Sequence, residues 1–386
     1  MEAVHEALCF VALLGGVLAA QPCGTQMTVN EHGRMPNTPY AGNGDLGAAV
    51  DGNGNCGEIQ IDLGLNQMWM INQIKHWDGP EGDDVAPRRL GFGGVTIKTA
   101  PGQYSASMDM RNAQLRVRMG SLSMVLTLSE GEASGSTMAI QLNNTNGSTP
   151  LDVEVVSWVL PVGGLLCGHK HTPPQCNTMD GFTAFGAAAS TGSYAVRSPF
   201  KAWLYKPVMA ALAVNAPTGS ASTPTSCSAN RTGADQWGGA SCTYSLSAGG
   251  TLQLLASIVT NLDLCDTLEG CSDPLPAAQA RVSNISAADV SAVVAVHKAW
   301  WQGFWSRSSI SLPQSRDVEE FWATAQYLLG SSSRKGKVAT GLWGPWVFTD
   351  NPGWEGDFTL DYSECRNTSC RLHSSPVCSV HVVLSM

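Results

Sequence analysis

Between Val29 and Leu264 the chain is a succession of short apolar or alternating runs, and this restricts its fold more than any other feature. The runs are Leu46–Val50, Glu58–Leu63, Gly94–Thr99, Gln114–Met119, Ser123–Leu128, Ser136–Leu142, Leu151–Leu160, Met209–Val214 and Thr251–Thr260, separated by Gly, Asn, Ser and Pro clusters. Strand-length segments bounded by turn residues read as β-structure. In Leu115-Arg116-Val117-Arg118-Met119 the alternation is strict, as for a strand with one face in a core and one in water. So many strands in one stretch predict a large sandwich rather than a small barrel. Thr218–Gly239, poor in bulky apolar residues, reads as an insertion loop.

The period changes near residue 284. Ser286 is placed to cap a helix in which Val290, Val293, Val294, His297, Trp301, Phe304 and Trp305 recur at three- and four-residue spacing. His297 falls on the apolar face and reads as a core histidine. Pro313 breaks the chain, and a second helix is expected from Asp317, with Val318, Phe321, Trp322, Ala325, Leu328 and Leu329 on one side. A β-domain over residues 21–275 thus gives way to a helical one over 276–362, with Asp273-Pro274-Leu275-Pro276 as linker.

The first 20 residues stand apart. Leu8 to Ala20 is an uncharged apolar run ending in small residues, preceded by a segment that carries Glu2 and Glu6 but no Lys or Arg. It reads as a cleaved signal peptide, being shorter than the ~20 residues a spanning helix needs. A secreted protein follows, with no membrane association after cleavage. Cys9 leaves with the signal, so eleven of the twelve cysteines remain. Cys167/Cys176, Cys227/Cys242 and Cys265/Cys271 each flank a loop-like stretch and are disulfide candidates, with Cys23 and Cys56 as a further pair. Asn143, Asn146, Asn230 and Asn284 each begin an Asn-x-Ser/Thr triplet, a glycosylation acceptor in that compartment. With 22 Lys and Arg against 31 Asp and Glu, the chain lacks the clustered cations of a nucleic-acid surface.

Chemistry concentrates in Gly341-Leu342-Trp343-Gly344-Pro345-Trp346 and in Thr349 to Tyr362, where Trp354, Glu355, Asp357 and Asp361 fall. Indole faces stack on the C–H faces of sugars, carboxylates bind hydroxyls, and paired carboxylates supply the acid and base of glycoside cleavage. No metal site is expected. Asp51-Gly-Asn53-Gly-Asn55 mimics a calcium loop but has Cys56 where that loop needs glycine, and its flanks are strands. Cys365, Cys370, His373, Cys378 and His381 fit no common zinc spacing.

The segments His297-Lys298-Ala299-Trp300-Trp301, Phe304-Trp305-Ser306-Arg307-Ser308, Gln326-Tyr327-Leu328-Leu329, Gly341-Leu342-Trp343 and Trp354-x-Gly-Asp357 resemble the start of the catalytic domain of glycoside hydrolase family 95, which contains α-L-fucosidases. Pro39-Tyr40-Ala41-Gly42-Asn43-Gly44-Asp45-Leu46-Gly47-Ala48, Ile59-Gln60-Ile61-Asp62 and Asn66-Gln67-Met68-Trp69 resemble the opening of that family's β-domain. The resemblance covers roughly residues 30–362 and rests on the two ends, the middle matching only in strand pattern. It implies a β-super-sandwich followed by the first helices of an incomplete (α/α)6 barrel. It also implies inverting hydrolysis of a terminal α-linked sugar, fucose or galactose-like, without a cofactor. On it, Asp361 takes the place of a water-positioning Asn, Ser363 that of a second, and Thr359 that of a His, while Trp343, Trp346, Trp354 and Asp357 shape the sugar pocket.

The family's general acid and second carboxylate come from later helical segments that have no equivalent in these residues. The chain is therefore expected to be an inactive N-terminal fragment of a glycosidase, the alternative being a non-catalytic carbohydrate-binding protein. Residues 363–386, with three cysteines and no helical period, read as an aberrant tail.

Overall fold

Along Gln114–Met119 buried and exposed side chains do alternate, and the same one-face-inward pattern, repeated, builds two stacked antiparallel sheets. The computed structural model describes residues 38–70, 88–130, 136–162, 165–167, 176–178, 182–198, 208–218, 223–230, 239–264 and 272–356. The segments read as signal peptide and tail lie outside them.

One sheet has seven strands in the order β1 (Tyr40–Gly42), β2 (Leu46–Asn53), β3 (Glu58–Leu65), β6 (Gly93–Lys98), β11 (Leu151–Val159), β18 (Gly239–Leu246) and β17 (Ser226–Asn230). The other has eight: β14 (Phe182–Ala188), β15 (Gly192–Ser198), β16 (Ala210–Asn215), β19 (Thr251–Thr260), β10 (Ser136–Asn144), β9 (Leu122–Glu130), β8 (Gln114–Met119) and β7 (Tyr104–Asp109). Two short ladders pair β4 (Trp69–Met70) with β5 (Arg88–Arg89) and β12 (Leu165–Cys167) with β13 (Cys176–Thr178). Ile59, Ile61 and Val95 from the first sheet meet Leu126, Ile140 and Leu254 from the second in one core.

The eight-stranded sheet is covered on its other face too. There Ala139, Ala211 and Ala213 alternate with the inward residues, and their small side chains let helices α1 (Pro274–Val282) and α2 (Ala287–Trp305) lie close. The stretch expected as a linker is the first turn of α1. Asp273 caps it by accepting from the Leu275 N–H at 2.9 Å, and proline stands where no intrahelical donor is needed. Ser286 caps α2 as expected, in a reciprocal capping box with Asp289.

Helix α3 (Arg316–Ser332) is rotated from the expected setting. Tyr327, Gly330 and Ser331 are buried, while Val318, Phe321 and Leu329 are 50%, 76% and 40% exposed. The cause is backbone approach. A Cβ on Gly42 would lie 2.3 Å from the Ser331 carbonyl oxygen, and the Tyr327 hydroxyl donates to the Tyr40 carbonyl at 2.8 Å.

Strands built from small or polar residues, β14, β15, β17 and β18, were not expected. β17 lies inside the stretch read as an insertion loop, and a disulfide joins its Cys227 to Cys242, the residue opposite on β18. Cys167 and Cys176 are also direct cross-strand partners in backbone register. Cys56 carries a disulfide; Cys23, Cys265 and Cys271 lie outside the described residues. Among the described residues no helix is long and apolar enough to cross a membrane.

Candidate functional site

The Trp-rich stretch, residues 341–352, forms a strap without regular structure across one end of the seven-stranded sheet. Glycines make its slot. A Cβ on Gly64 would lie 2.2 Å from the Pro345 carbonyl oxygen, and one on Gly47 would lie 2.8 Å from the Trp346 ring. Trp346 is buried, its indole N–H donating to the Ala41 carbonyl at 2.9 Å and its ring meeting Tyr40 edge-on at 4.9 Å. Phe348 packs beside it on Ala49. Further along, the Gly91 N–H donates to the Thr349 carbonyl at 3.0 Å. Asp350 then receives two bonds from the Arg197 guanidinium, at 2.9 and 2.6 Å. Arg197 is fully buried and also donates from Nε to the Leu160 carbonyl at 3.0 Å. Charge-assisted bidentate pairing of this kind fixes orientation as well as position.

Trp343 remains half-buried, with its indole N–H donating to the Gly353 carbonyl at 2.6 Å. That carbonyl opens the 3-10 turn Gly353–Gly356, which abuts Arg89, a Cβ on Gly356 reaching within 3.3 Å of the arginine's Cβ. Arg89 is buried and donates to the carbonyls of Leu65, at 2.8 Å, and Gly344. Its guanidinium lies 5.9 Å from the Trp69 ring centroid. The backbone thus carries residues 353–356 to the side of Arg89. The Trp354 side chain, Asp357 and Asp361 lie outside the described residues.

Beneath the strap several polar groups converge. The β1–β2 turn is fixed by Asn43, whose Oδ1 accepts from the Asp45 and Leu46 N–H groups at 3.1 and 2.8 Å. Its amide also donates to the Ser129 carbonyl of the second sheet at 2.9 Å. Asp45 is thereby held in the interior, where Ser136 Oγ approaches one oxygen at 3.4 Å and the other has no partner among the described residues. Burial, then the charge of Asp263, pushes its carboxyl up to about 6, against Lys337, Ser136 and Arg89. Burial also lowers Arg89 to about 9, opposed by Asp45. Gln67 donates to Asp263 at 3.0 Å, and Asn66 accepts from Thr340, just before the strap, at 3.4 Å. Gln67, Asp263, Lys337 and Trp69 are all half-exposed.

Around the buried Asp45 the junction thus gathers an amide, a carboxylate, an ammonium and a guanidinium, with Trp69 beside Arg89 and the strap backbone at Gly344 bonded to it. Among the described residues no group of three His, Cys, Asp or Glu side chains is placed to hold a metal ion. Asp62, on the outer face of β3, accepts from Gln60 at 2.8 Å and is pushed up to about 7, chiefly by burial. His297 is buried as expected, its ring nitrogens 2.5 and 2.8 Å from the Leu128 and Asn112 carbonyls.

Asp45, Arg89, Asp263 and Lys337 were not singled out from the sequence. The signal for Asp45 was a carboxylate opening an apolar strand; the others left none. Of the glycosylation triplets, Asn143 lies in β10 with its side chain bonded to Ser123 and Thr251, whereas Asn146 lies in the β10–β11 connection and Asn284 in a turn. The Asn230 side chain lies outside the described residues.

The fold and site together define a two-sheet antiparallel sandwich with helices packed on one face and an aromatic strap across one end. No protein-family model matches the chain, and no curated protein matches it in sequence. Among solved structures it is similar to a putative kojibiose phosphorylase from human microbiome, with a TM-score of 0.42 and 9% identity. That match covers 78% of this chain, which spans 43% of the other protein's length.

Proposed function

We propose that this chain is the sugar-binding N-terminal part of a secreted glycosidase of the α-L-fucosidase-like type. The observation that carries the reading is that Gln67, Asp263, Lys337 and Arg89 gather around the buried Asp45, with Trp69 beside Arg89 and the Trp343–Gly344 backbone bonded to it. On this reading residues 1–20 are a cleaved signal peptide and α2 and α3 are the first helices of an (α/α)6 barrel. The pocket binds a terminal α-linked fucose or galactose-like residue. Trp343, Trp354 and Asp357 line it, the buried Trp346 holds its wall from behind, and Asp361 positions water. Asn146 and Asn284 carry N-glycans.

A non-catalytic carbohydrate-binding protein is the second reading. The observation favouring it is that Asp45 and Asp62, the described aspartates with pKa values pushed up to about 6 and 7, are both shielded from solvent. Neither is presented to a substrate. One experiment addresses both readings. Tryptophan fluorescence is titrated with L-fucose and D-galactose, and hydrolysis of the corresponding aryl α-glycosides is followed in parallel. Saturable quenching lost in Trp343→Ala supports the pocket, and turnover beside it would exclude the binding-protein reading. No response to either sugar, with no turnover, ends both readings.

A further inference from the structure

We propose that the opposite end of the sandwich carries a second glycan-contact groove, formed by the β2–β3 hairpin tip and the β6–β7 connection. This rests on the carbohydrate reading above and extends its substrate class to uncharged, polymeric glycans. The groove, about 550 Å³, is lined by Gly54, Asn55, Pro101, Gly102, Gln103 and Tyr104. No lining residue is an acid or a base, and burial pushes the Tyr104 phenol far above its ordinary range. The surface therefore offers nothing to balance a phosphate, a carboxylate or a metal ion. It does offer two exposed amides, Asn55 and Gln103, each with donors and an acceptor that match neighbouring hydroxyls. Pro101 adds an exposed ring for the C–H side of a sugar.

The groove is also preset. The Gly102 N–H donates to the Gly54 carbonyl at 2.9 Å, Thr99 to Gly57 at 2.8 Å and Gly120 to Gln103 at 3.0 Å. A Cβ on Gly54 would lie 2.4 Å from the Gly102 carbonyl oxygen, and one on Gly102 would lie 2.5 Å from the Gly120 Cα. Three loops thus touch backbone to backbone, and the Cys56 disulfide secures the hairpin tip. A surface already ordered before binding loses little conformational freedom on contact. The Tyr104 hydroxyl, shielded from solvent, has no partner among the described residues.

Position gives the polymer preference. β2 runs from Gly47, under the strap, to Asn53, beside the groove. At roughly 3.3 Å per residue that separation is about 20 Å. One sugar cannot reach both places, whereas a chain of several can.

The test compares the whole protein, the double variant Asn55→Ala, Gln103→Ala and the Trp343→Ala variant. Affinity electrophoresis is run in galactomannan and in fucosylated xyloglucan, alongside fluorescence titration with the free sugars. Both amides are exposed, and thermal melts check that the variants fold. The groove variant is expected to bind polymer about tenfold more weakly, as for the loss of two neutral hydrogen bonds, with free-sugar quenching unchanged. Polymer retention equal to the parent's in that variant overturns the groove. If polymer binding falls in the groove variant while Trp343→Ala has no effect on any ligand, the groove stands and the strap reading fails. A parent chain that binds neither polymer overturns the groove, as does a groove variant that loses self-association instead of glycan affinity.

Discussion

The eight-stranded sheet and helix α3 both present apolar stripes, and the molecule treats them differently. The sheet is closed on both faces, by the seven-stranded sheet on one side and by α1 and α2 on the other. α3 is held at its C-terminal half by the Gly42–Ser331 approach, the Tyr327–Tyr40 bond and Arg334, whose guanidinium lies 3.5 Å from the Trp300 ring centroid. Its Val318, Phe321 and Leu329 face outward. Helices α1 and α2 complete the cover of the eight-stranded sheet, while α3 leaves its apolar stripe open. The helix is positioned by a backbone contact rather than by its own stripe.

The largest effect is expected where the two sheets close on each other. Leu126 and Ile140 are direct cross-strand partners and neither has exposed surface. Leu126→Ala should cost about 3–5 kcal/mol in urea unfolding, through lost burial and the cavity left behind. A cost under about 1 kcal/mol would mean the sheets close less tightly than their geometry implies.

The strap comes next. Asp350→Asn leaves the Arg197 guanidinium buried without its counter-charge, a loss of about 3 kcal/mol for a pair of this kind. Because the pair ties the strap and not the central core, the change should appear first as faster proteolysis between residues 341 and 352, with the main unfolding transition moved less. Simultaneous loss of both signals would show that strap and sandwich unfold as one unit.

The strands with bulky alternating residues were legible, and β8 and β19 fall on the expected limits. β14 and β18 were not, because Ala, Gly, Ser and Cys form strands only when a neighbouring sheet supplies the hydrophobic contact. Asp273-Pro274-Leu275-Pro276 has the composition of a linker, yet Asp and Pro are equally the residues that open a helix. The strap was legible as a cluster of Trp and carboxylates, but not the burial of Trp346, since an indole in a core and one on a sugar look alike in sequence. The Arg197–Asp350 pair spans 153 residues and leaves no local trace. Asp45 lay in a recognised motif, and only the approach of Asn43 to the second sheet explains why it is buried.

Acidity offers a third way to separate the regions. The Asp45 and Asp62 carboxyls titrate near 6 and 7 in the folded protein, above the ordinary aspartate value. Burial therefore favours their protonated forms, and the stability they contribute is full below about pH 4 and is lost as pH rises through 6 and 7. Both carboxyls belong to the seven-stranded side. Asp62→Asn should be more stable than the parent at pH 8 and little changed at pH 4, flattening the profile of urea midpoint against pH. A parallel shift at both values would assign the gain to packing rather than to ionisation.

The smallest effect is expected at Phe321, and it tests the contrast most directly. A ring 76% exposed has already forgone most of its burial energy, so Phe321→Ser should leave the urea midpoint within about 0.5 kcal/mol of the parent. What should change is surface behaviour: less binding of an apolar dye and less association in sedimentation, since Val318 and Leu329 alone form a poorer patch. A loss comparable to that of Leu126→Ala would mean that the stripe is covered in solution. Dependence of that loss on protein concentration would identify the cover as a second copy of the chain. The difference between sheet and helix would then be one of assembly state rather than of fold.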